Sequence, residues 1–279
     1  MRVDGSERAP SRAPFRVLTG PRRTEARRWE LWVDPPRDGK TNMEVDAGLL
    51  RDIDGSPEPR TVVRFYSWTR PTLSLGRNQK AGQAADLAFC ERQGIDIVHR
   101  PTGGLAVLHD DEVTYAVVSN EPDRFEGGSV YGIYRRVSEA LAEGYRRLGV
   151  DAVLAAGTRR EPGDRAWENP CFVSQSRYEL AVGGRKIVGS AQRRLRRAFL
   201  QHGSMPVSLD RELLARATRF GAAGLLEGEM AGLAECLDPV PDRSAIVTAL
   251  GAAFEAYFGI VLEPVRGGPE RIAGAAAGK

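Results

Sequence analysis

The chain has 279 residues, of which 42% are hydrophobic and 28% are charged, and its formal net charge is +3. This composition suffices for a sizeable core and is ordinary for a soluble protein. No apolar run approaches the roughly 18 residues needed to cross a bilayer, which excludes an integral membrane protein, and so small a charge gives no reason to expect nucleic acid or a membrane as partner.

The three cysteines are far apart in the sequence, and their number is odd: Cys90, Cys171 and Cys236. The absence of any CxxC pair argues against a zinc site, and the odd count argues against a disulfide framework. We therefore expect a reducing, cytoplasmic location.

The first third of the chain mixes helix and strand signals. Trp29 to Ile53 reads as mostly helical, with Asn42 as the N-cap of an apolar stripe that ends near Gly55. Thr61 to Trp68 is β-branched and aromatic and predicts a strand. Residues 71–78 predict a second, shorter strand that ends in a loop.

A short helix and a glycine loop follow. Ala84 to Gln93 predicts a helix closed by Gly94, and Ile95 to Val98 predicts a buried strand. The next stretch contains Arg100, which can bind a phosphate or carboxylate with two parallel hydrogen bonds, and a glycine pair at Gly103 and Gly104. Such a pair lets the backbone approach a ligand closely, although Gly-Gly turns between strands occur in many folds.

The middle of the chain predicts a strand, an amphipathic helix and a short strand, at Val113–Ser119, Ser129–Leu148 and Val150–Leu154. A hairpin comes next. Tyr178 to Val182 alternates as a half-buried strand, Gly183-Gly184 supplies a two-residue turn, and Lys186 to Ser190 forms the returning strand. This register pairs Ala181 with Lys186 and places Lys186 diagonal to Glu179 on one face.

The last third predicts a third strand and two helical stretches, at Phe199–Val207, Asp210–Leu237 and Ser244–Tyr257. We expect one catalytic domain over residues 23–265, between a disordered Arg/Pro-rich tail over residues 1–22 and a flexible tail over residues 266–279. The fold class is α+β, with mixed and antiparallel β-sheets flanked by helices.

Cys171 and Lys186 suggest chemistry, because a thiolate beside an ammonium is a nucleophile at neutral pH. An ordinary thiol, with a pKa of about 8.5, is only a few per cent thiolate at pH 7. Three alternatives stay open on the residues alone: Cys171 as a small buried hydrophobe, Lys186 in an ion pair with Glu179 on a wet face, and a Cys–His pair that uses His202 or His109 as the base.

Three ordered runs resemble one family: residues 64–79 (RFYSWTRPTLSLGRNQ), 99–118 (HRPTGGLAVLHDDEVTYAVV) and 171–205 (CFVSQSRYELAVGGRKIVGSAQRRLRRAFLQHGSM). They are similar to the lipoate–protein ligase/octanoyltransferase superfamily, which shares its catalytic fold with biotin protein ligases. The third run resembles the cysteine-dependent LipM-type octanoyltransferases, in which a cysteine precedes the lysine of GRKIVGSAQ by fifteen residues.

The resemblance implies an acyltransferase of lipoate biosynthesis that needs no metal and no other cofactor. Octanoate would pass from acyl carrier protein to Cys171 as a thioester, and then to a lysine of a lipoyl domain, either glycine cleavage protein H or a 2-oxoacid dehydrogenase E2. The catalytic residues would be Cys171 and Lys186, and we expect a monomer. The implied substrate-binding residues are Arg77, Arg100, Gly103, Gly104, His109, Gly189, Ser190, Ala191, His202 and Gly203.

One departure from the family bears on the reaction. Ligases that activate lipoate with ATP usually carry RR-x-x-GGG, whereas this chain has His99-Arg100 and then Gly103-Gly104-Leu105. A leucine where a nucleotide phosphate needs close backbone approach favours acyl transfer over adenylation. The remaining alternatives are a lipoyl or octanoyl amidotransferase, an ATP-dependent lipoate ligase and a non-catalytic carrier-binding protein. The carrier-binding alternative depends on four arginines that predict a docking patch for an acidic carrier: Arg193, Arg194, Arg196 and Arg197.

Overall fold

The computed structural model describes residues 27–155, 179–218 and 228–267. Its strands are β1 (Arg27–Val33), β2 (Thr61–Tyr66), β3 (Thr72–Leu75), β4 (Asp96–His99), β5 (Val107–His109), β6 (Glu112–Ser119), β7 (Val153–Leu154), β8 (Leu180–Val182), β9 (Arg185–Arg194), β10 (Phe199–Pro206) and β11 (Ile260–Pro264). Its helices are α1 (Gly39–Gly55), α2 (Ala81–Ala84), α3 (Leu87–Gln93), α4 (Val130–Arg147), α5 (Arg211–Ala217) and, last in the chain, α6 (Arg243–Phe258).

The strands form two sheets. The larger has the order β11-β1-β2-β6-β10-β9-β8-β7, with β1 parallel to both of its neighbours and the other pairings antiparallel. In the smaller, β3 lies between β4, to which it is parallel, and β5, to which it is antiparallel. This arrangement is the mixed and antiparallel α+β architecture expected from the sequence.

Each face of the large sheet carries its own core. On one face α4 and α6 pack together over Phe65, Tyr115 and Phe199. On the other face α1 packs over Val62, Ala116 and Leu200. The small sheet joins the α1 side, because β4 contacts α1 and β5 contacts β10. The candidate site lies where this second face meets the small sheet.

The hairpin and its turn agree with the sequence prediction. Val182 pairs with Arg185 and Ala181 with Lys186, and Gly183 and Gly184 adopt φ values of 55° and 80°. Only glycine adopts such values readily at two consecutive positions, so the turn fixes the register.

The start of the domain differs from the prediction. Residues 27–33 form the strand β1 rather than helix, because β2 and β11 supply hydrogen-bonding partners on both of its edges. The N-cap of α1 is Asp38, whose side chain accepts from the Thr41 N–H at 2.8 Å. Asn42 lies inside the helix, where its amide donates to the Ser67 carbonyl at 3.0 Å.

Three smaller expectations also need correction. The predicted helix over Ala84–Gln93 breaks at Ala85, because Asp86 caps a separate helix α3. Strand β4 is half-exposed rather than buried. The strand β11 follows α6, although no strand was expected there. No helix of the described residues is long and apolar enough to cross a membrane.

Candidate active site

A cavity opens between α1, the small sheet and strands β6, β9 and β10. Its enclosed volume is about 30 Å³, and the surrounding space opens to solvent. Its walls are Met43, Tyr66, Ser74, Arg100, Val107, His109, Thr114, Gly189, Ser190, Ala191, His202, Gly203 and Ser204.

Seven of the ten substrate-binding residues expected from the sequence line this cavity: Arg100, His109, Gly189, Ser190, Ala191, His202 and Gly203. Arg77, Gly103 and Gly104 do not, and all three are exposed. The Gly104 carbonyl instead packs closely against the backbone at Gly76. A Cβ on Gly76 would lie only 1.9 Å from the Gly104 carbonyl oxygen. Their contact with substrate stays a prediction.

Arg100 shapes the glycine loop as well as lining the cavity. Its guanidinium is 5% exposed, and it donates to the carbonyls of Ser74 at 2.9 Å, Gly103 at 2.8 Å and Leu105 at 2.6 Å. A planar guanidinium holds several acceptors in fixed directions. These bonds tie β3 to the loop and use donors that the sequence analysis reserved for a phosphate or carboxylate.

His202 belongs to a buried hydrogen-bond chain. Its Nδ1 lies 2.8 Å from Asp46 Oδ2, and its Nε2 lies 2.7 Å from Thr102 Oγ1. Asp46 is fully buried and also accepts from Arg64 Nη1 at 2.7 Å and from the Tyr66 hydroxyl at 2.9 Å. Burial alone would raise the pKa of Asp46, but Arg64 and His202 outweigh that effect and hold its pKa below the usual value.

These hydrogen bonds fix the tautomer of His202. Because Asp46 is ionised, Nδ1 carries the hydrogen and Nε2 is left to accept from the Thr102 hydroxyl. Burial lowers the pKa of His202, and the hydrogen bond to Asp46 only partly opposes this. The imidazole is therefore neutral at pH 7.

His109 has an analogous arrangement on the opposite wall. Its Nδ1 lies 2.8 Å from Glu112 Oε1, its Nε2 lies 2.8 Å from Ser74 Oγ, and Trp68 stacks on the ring at a centroid distance of 4.2 Å. Glu112 also accepts from Trp68 Nε1 at 3.0 Å and from the Ser204 hydroxyl.

Both imidazoles thus direct Nε2 at a hydroxyl. A histidine can act as a base only through an available lone pair, and here Ser74 and Thr102 occupy that position. The geometry fixes the orientation of both rings, and the Cys–His alternative stays open because Cys171 lies outside the described residues.

Lys186 lies on β9, three residues before the cavity-lining Gly189. Its Nζ contacts Glu179 Oε1 at 2.7 Å, and the two side chains are only 1% and 4% exposed. The diagonal contact predicted from the hairpin register is therefore present, but it is buried rather than on a wet face. Backbone bonds hold the strand here, since the Lys186 N–H donates to the Glu229 carbonyl and the Lys186 carbonyl accepts from the Ala231 N–H.

Cys171 lies outside the described residues, so its predicted contact with Lys186 stays a prediction. The chain re-enters the structure at Glu179, eight residues after Cys171. The carboxylate that pairs with Lys186 therefore belongs to the first described residue after the cysteine.

Ser190 and Gly203 form a tight crossing on the floor of the cavity. They are register partners, and Ser190 Oγ lies 2.7 Å from the Tyr115 hydroxyl, which also accepts from Gln201 Nε2 at 3.1 Å. Burial raises the pKa of Tyr115 to about 12, so the phenol stays protonated and can donate to Ser190.

We expect Gly203→Ala to destabilise the protein. A Cβ at this position would lie 2.5 Å from the Gly189 carbonyl oxygen and 2.7 Å from Tyr115 Cε1, and such overpacking costs about 1–3 kcal/mol. Urea unfolding measures the change. Gly82→Ala is the control, because nothing lies within 4 Å of its Cβ, and it should leave stability unchanged or raised. Equal stability of Gly203→Ala and the parent protein would contradict the packing described.

The acidic residues behind the histidines, Asp46 and Glu112, were not among the predicted site residues. A signal for Asp46 was available, because it lies on the buried face of α1 together with Asn42, Leu49 and Leu50. A carboxylate on an apolar helix face calls for a buried cation or donor. The sequence did not indicate which distant residues would supply it.

Comparison with known proteins identifies the family. Residues 38–255 match the family described as lipoyl protein ligase A/B catalytic domain. The chain belongs to this family. It is 39% identical to the octanoyltransferase LipM of Geobacillus kaustophilus over 80% of this chain and 84% of that protein. It is 35% identical to that of Moorella thermoacetica over 86% and 89% of the respective chains.

A solved structure of the family shares the fold. The crystal structure of lipoate-protein ligase A bound with ATP superposes with a TM-score of 0.73 at 22% identity, covering 89% of this chain and 93% of that one. The predicted lipoate ligase-like fold and the predicted LipM-type resemblance are confirmed. The similarity to octanoyltransferases of the LipM type identifies the chain as an acyltransferase of that type.

Proposed function

We propose that this enzyme transfers octanoyl from acyl carrier protein to a lysine of a lipoyl domain through a thioester on Cys171. The observation that carries the proposal is the convergence of two features on one strand. Strand β9 lines the cavity with Gly189, Ser190 and Ala191, and three residues earlier it carries the buried Lys186–Glu179 pair. This pair follows Cys171 closely in the chain.

The reaction balances in two steps. The Cys171 thiolate attacks the thioester carbonyl, its new C–S bond replaces the bond to the carrier thiol, and the departing thiolate takes up a proton. A neutral acceptor lysine then attacks the acyl-cysteine, forms the amide and loses a proton, while Cys171 leaves as thiolate. Neither step needs a metal or a nucleotide.

The role of Lys186 is electrostatic in this proposal. An ammonium near Cys171 favours the thiolate. The carboxylate of Glu179, whose Oε1 lies 2.7 Å from Lys186 Nζ, opposes that effect. The field at the thiol is therefore set by the pair rather than by the lysine alone. Because water is largely excluded around both side chains, the field is weakly screened.

The glycine loop supports transfer over adenylation. The position of the third family glycine is occupied by Leu105, whose carbonyl accepts from Arg100 Nη2 at 2.6 Å. The loop backbone is thus bound to a protein guanidinium at the place where an ATP-dependent ligase would need close approach to a phosphate.

The experiment is an intact-mass measurement on the full chain mixed with octanoyl-acyl carrier protein without ATP. We expect one octanoyl adduct on the parent protein and none on Cys171→Ser, with Cys90→Ser as the matched control that retains it. Cys90 is buried against α5, where its Sγ contacts the Ala217 carbonyl, and burial raises its pKa.

Two outcomes would overturn the proposal. The first is the absence of any adduct with a donor that a known octanoyltransferase accepts. The second is an adduct that persists in Cys171→Ser. A requirement for ATP would indicate a lipoate ligase, and efficient acylation from an octanoylated lipoyl domain, but not from the carrier, would indicate an amidotransferase.

A further inference from the structure

A second groove runs along the outer side of α1 and leads to the cavity. Its volume is about 500 Å³, it is open to solvent, and its walls include Lys40, Met43, Arg51, His99, Arg100 and Arg193. Met43 and Arg100 also line the cavity, so the two spaces share a wall. The groove and the cavity are therefore adjacent, separated by these two buried side chains.

The groove is basic. Lys40, Arg51 and Arg193 outnumber its single acidic residue, Glu44, which lies 3.8 Å from Lys40 Nζ. The charge of Lys40 is therefore partly compensated, and the excess positive charge belongs to Arg51, Arg193 and Arg100, which also lines the groove.

Arg51 and Arg193 have no carboxylate partner among the described residues. Arg193 Nη1 donates to the Pro101 carbonyl at 3.2 Å, and its Nε is buried without a hydrogen-bond partner in that part of the chain. A buried guanidinium donor without an acceptor is unfavourable. The guanidinium groups of Arg51 and Arg193 line the groove, so an anionic oxygen there could accept charge-assisted hydrogen bonds from them.

The groove also has the length for an extended ligand. Lys40 and Arg51 are eleven residues apart on one helix, which corresponds to about 16 Å along its axis. A small anion would use only one end. A ligand with a phosphate at one end and a long, largely neutral chain at the other would fill it.

We propose that this groove binds the phosphopantetheine arm of the acyl donor, with its phosphodiester on Arg51 and Arg193 and its thioester directed past Met43 into the cavity. The inference rests on the proposed function and adds to it the site for the donor's phosphate. It differs from the predicted docking patch, because Arg194, Arg196 and Arg197 do not line the groove.

The test compares two small donors that differ only in the phosphate: octanoyl-pantetheine and octanoyl-4′-phosphopantetheine. The measured quantity is the second-order rate of octanoyl adduct formation on the full chain at low salt. We expect the phosphorylated donor to react about tenfold faster or more, as one charge-assisted bond implies. Raising the salt should reduce that ratio because the arginines are partly exposed.

Variants locate the effect. Arg51→Gln and Arg193→Gln should each reduce the ratio, and the double variant should bring it close to one. Arg193→Lys keeps the charge and should retain part of the preference, which separates binding from a packing defect. Arg146→Gln is the matched control, because Arg146 is an exposed arginine on α4, across the large sheet, and this variant should keep the parent ratio.

Equal rates for the two donors on the parent protein, or a preference that survives in the double variant, would overturn the inference while leaving the thioester mechanism intact. An absence of adduct with both small donors and with octanoyl-acyl carrier protein would overturn both proposals together.

Discussion

Replacing Lys186 with methionine is expected to lower both stability and thiol reactivity. Lys186 is 1% exposed, and its removal takes the ammonium away from the buried Glu179 carboxylate. Breaking a buried ion pair from one side typically costs about 3–5 kcal/mol. The same change removes the cation proposed to favour the Cys171 thiolate, so the pH at which Cys171 becomes half-alkylated should rise.

Glu179→Gln is the informative partner of this variant. It should also destabilise the protein, because the ammonium then lacks its carboxylate, but it should move the alkylation pH of Cys171 downward. Denaturant unfolding and the pH dependence of iodoacetamide labelling measure the two effects. In the double variant the losses of stability should be less than additive. Shifts of the same sign in both single variants would show that the pair does not control the thiol.

Asp46→Asn is expected to cause a comparably large loss of stability. Asp46 is fully buried and accepts from Arg64, Tyr66 and His202. The variant leaves the fully buried Arg64 with only Asp34 as a charged partner among the described residues. We expect a loss of about 3–5 kcal/mol in the free energy of unfolding, measured in urea.

The same helix offers a matched control. Asp52 also pairs with an arginine, Arg60, at 2.5 Å, but the Asp52 side chain is 48% exposed. Asp52→Asn should therefore cost at most about 1 kcal/mol. Similar losses for the two variants would contradict the view that burial, rather than the presence of an ion pair, sets the cost.

The local features of this fold could be predicted because their causes lie close together in the chain. Gly183-Gly184 specifies a two-residue turn, and the turn fixes the pairing of Ala181 with Lys186, beyond which the register shifts before Glu179. Ser129 caps α4, and Gly94 closes α3 in a left-handed conformation. In each case the deciding interaction spans only a few residues.

The errors came where distant residues decide. Residues 27–33 form a strand because β11 pairs with them from more than 220 residues away, and that strand was itself not expected. The same holds for the site. The partners of His202 are equally distant in sequence, since Nδ1 lies against Asp46, 156 residues away, and Nε2 against Thr102; its contact with substrate stays a prediction.

The sequence by itself determined the α+β class, the family and the order of three motifs around a cysteine and a lysine. The tertiary structure decided which polar residues lie in the cavity wall and which partner each one has. It also decided that the Lys186–Glu179 pair is buried and that Arg51 and Arg193 line one groove next to the cavity. Sequence motifs indicate which reactive side chains the protein has. The burial of these side chains and the strength of their ion pairs depend on neighbours that only the fold brings together.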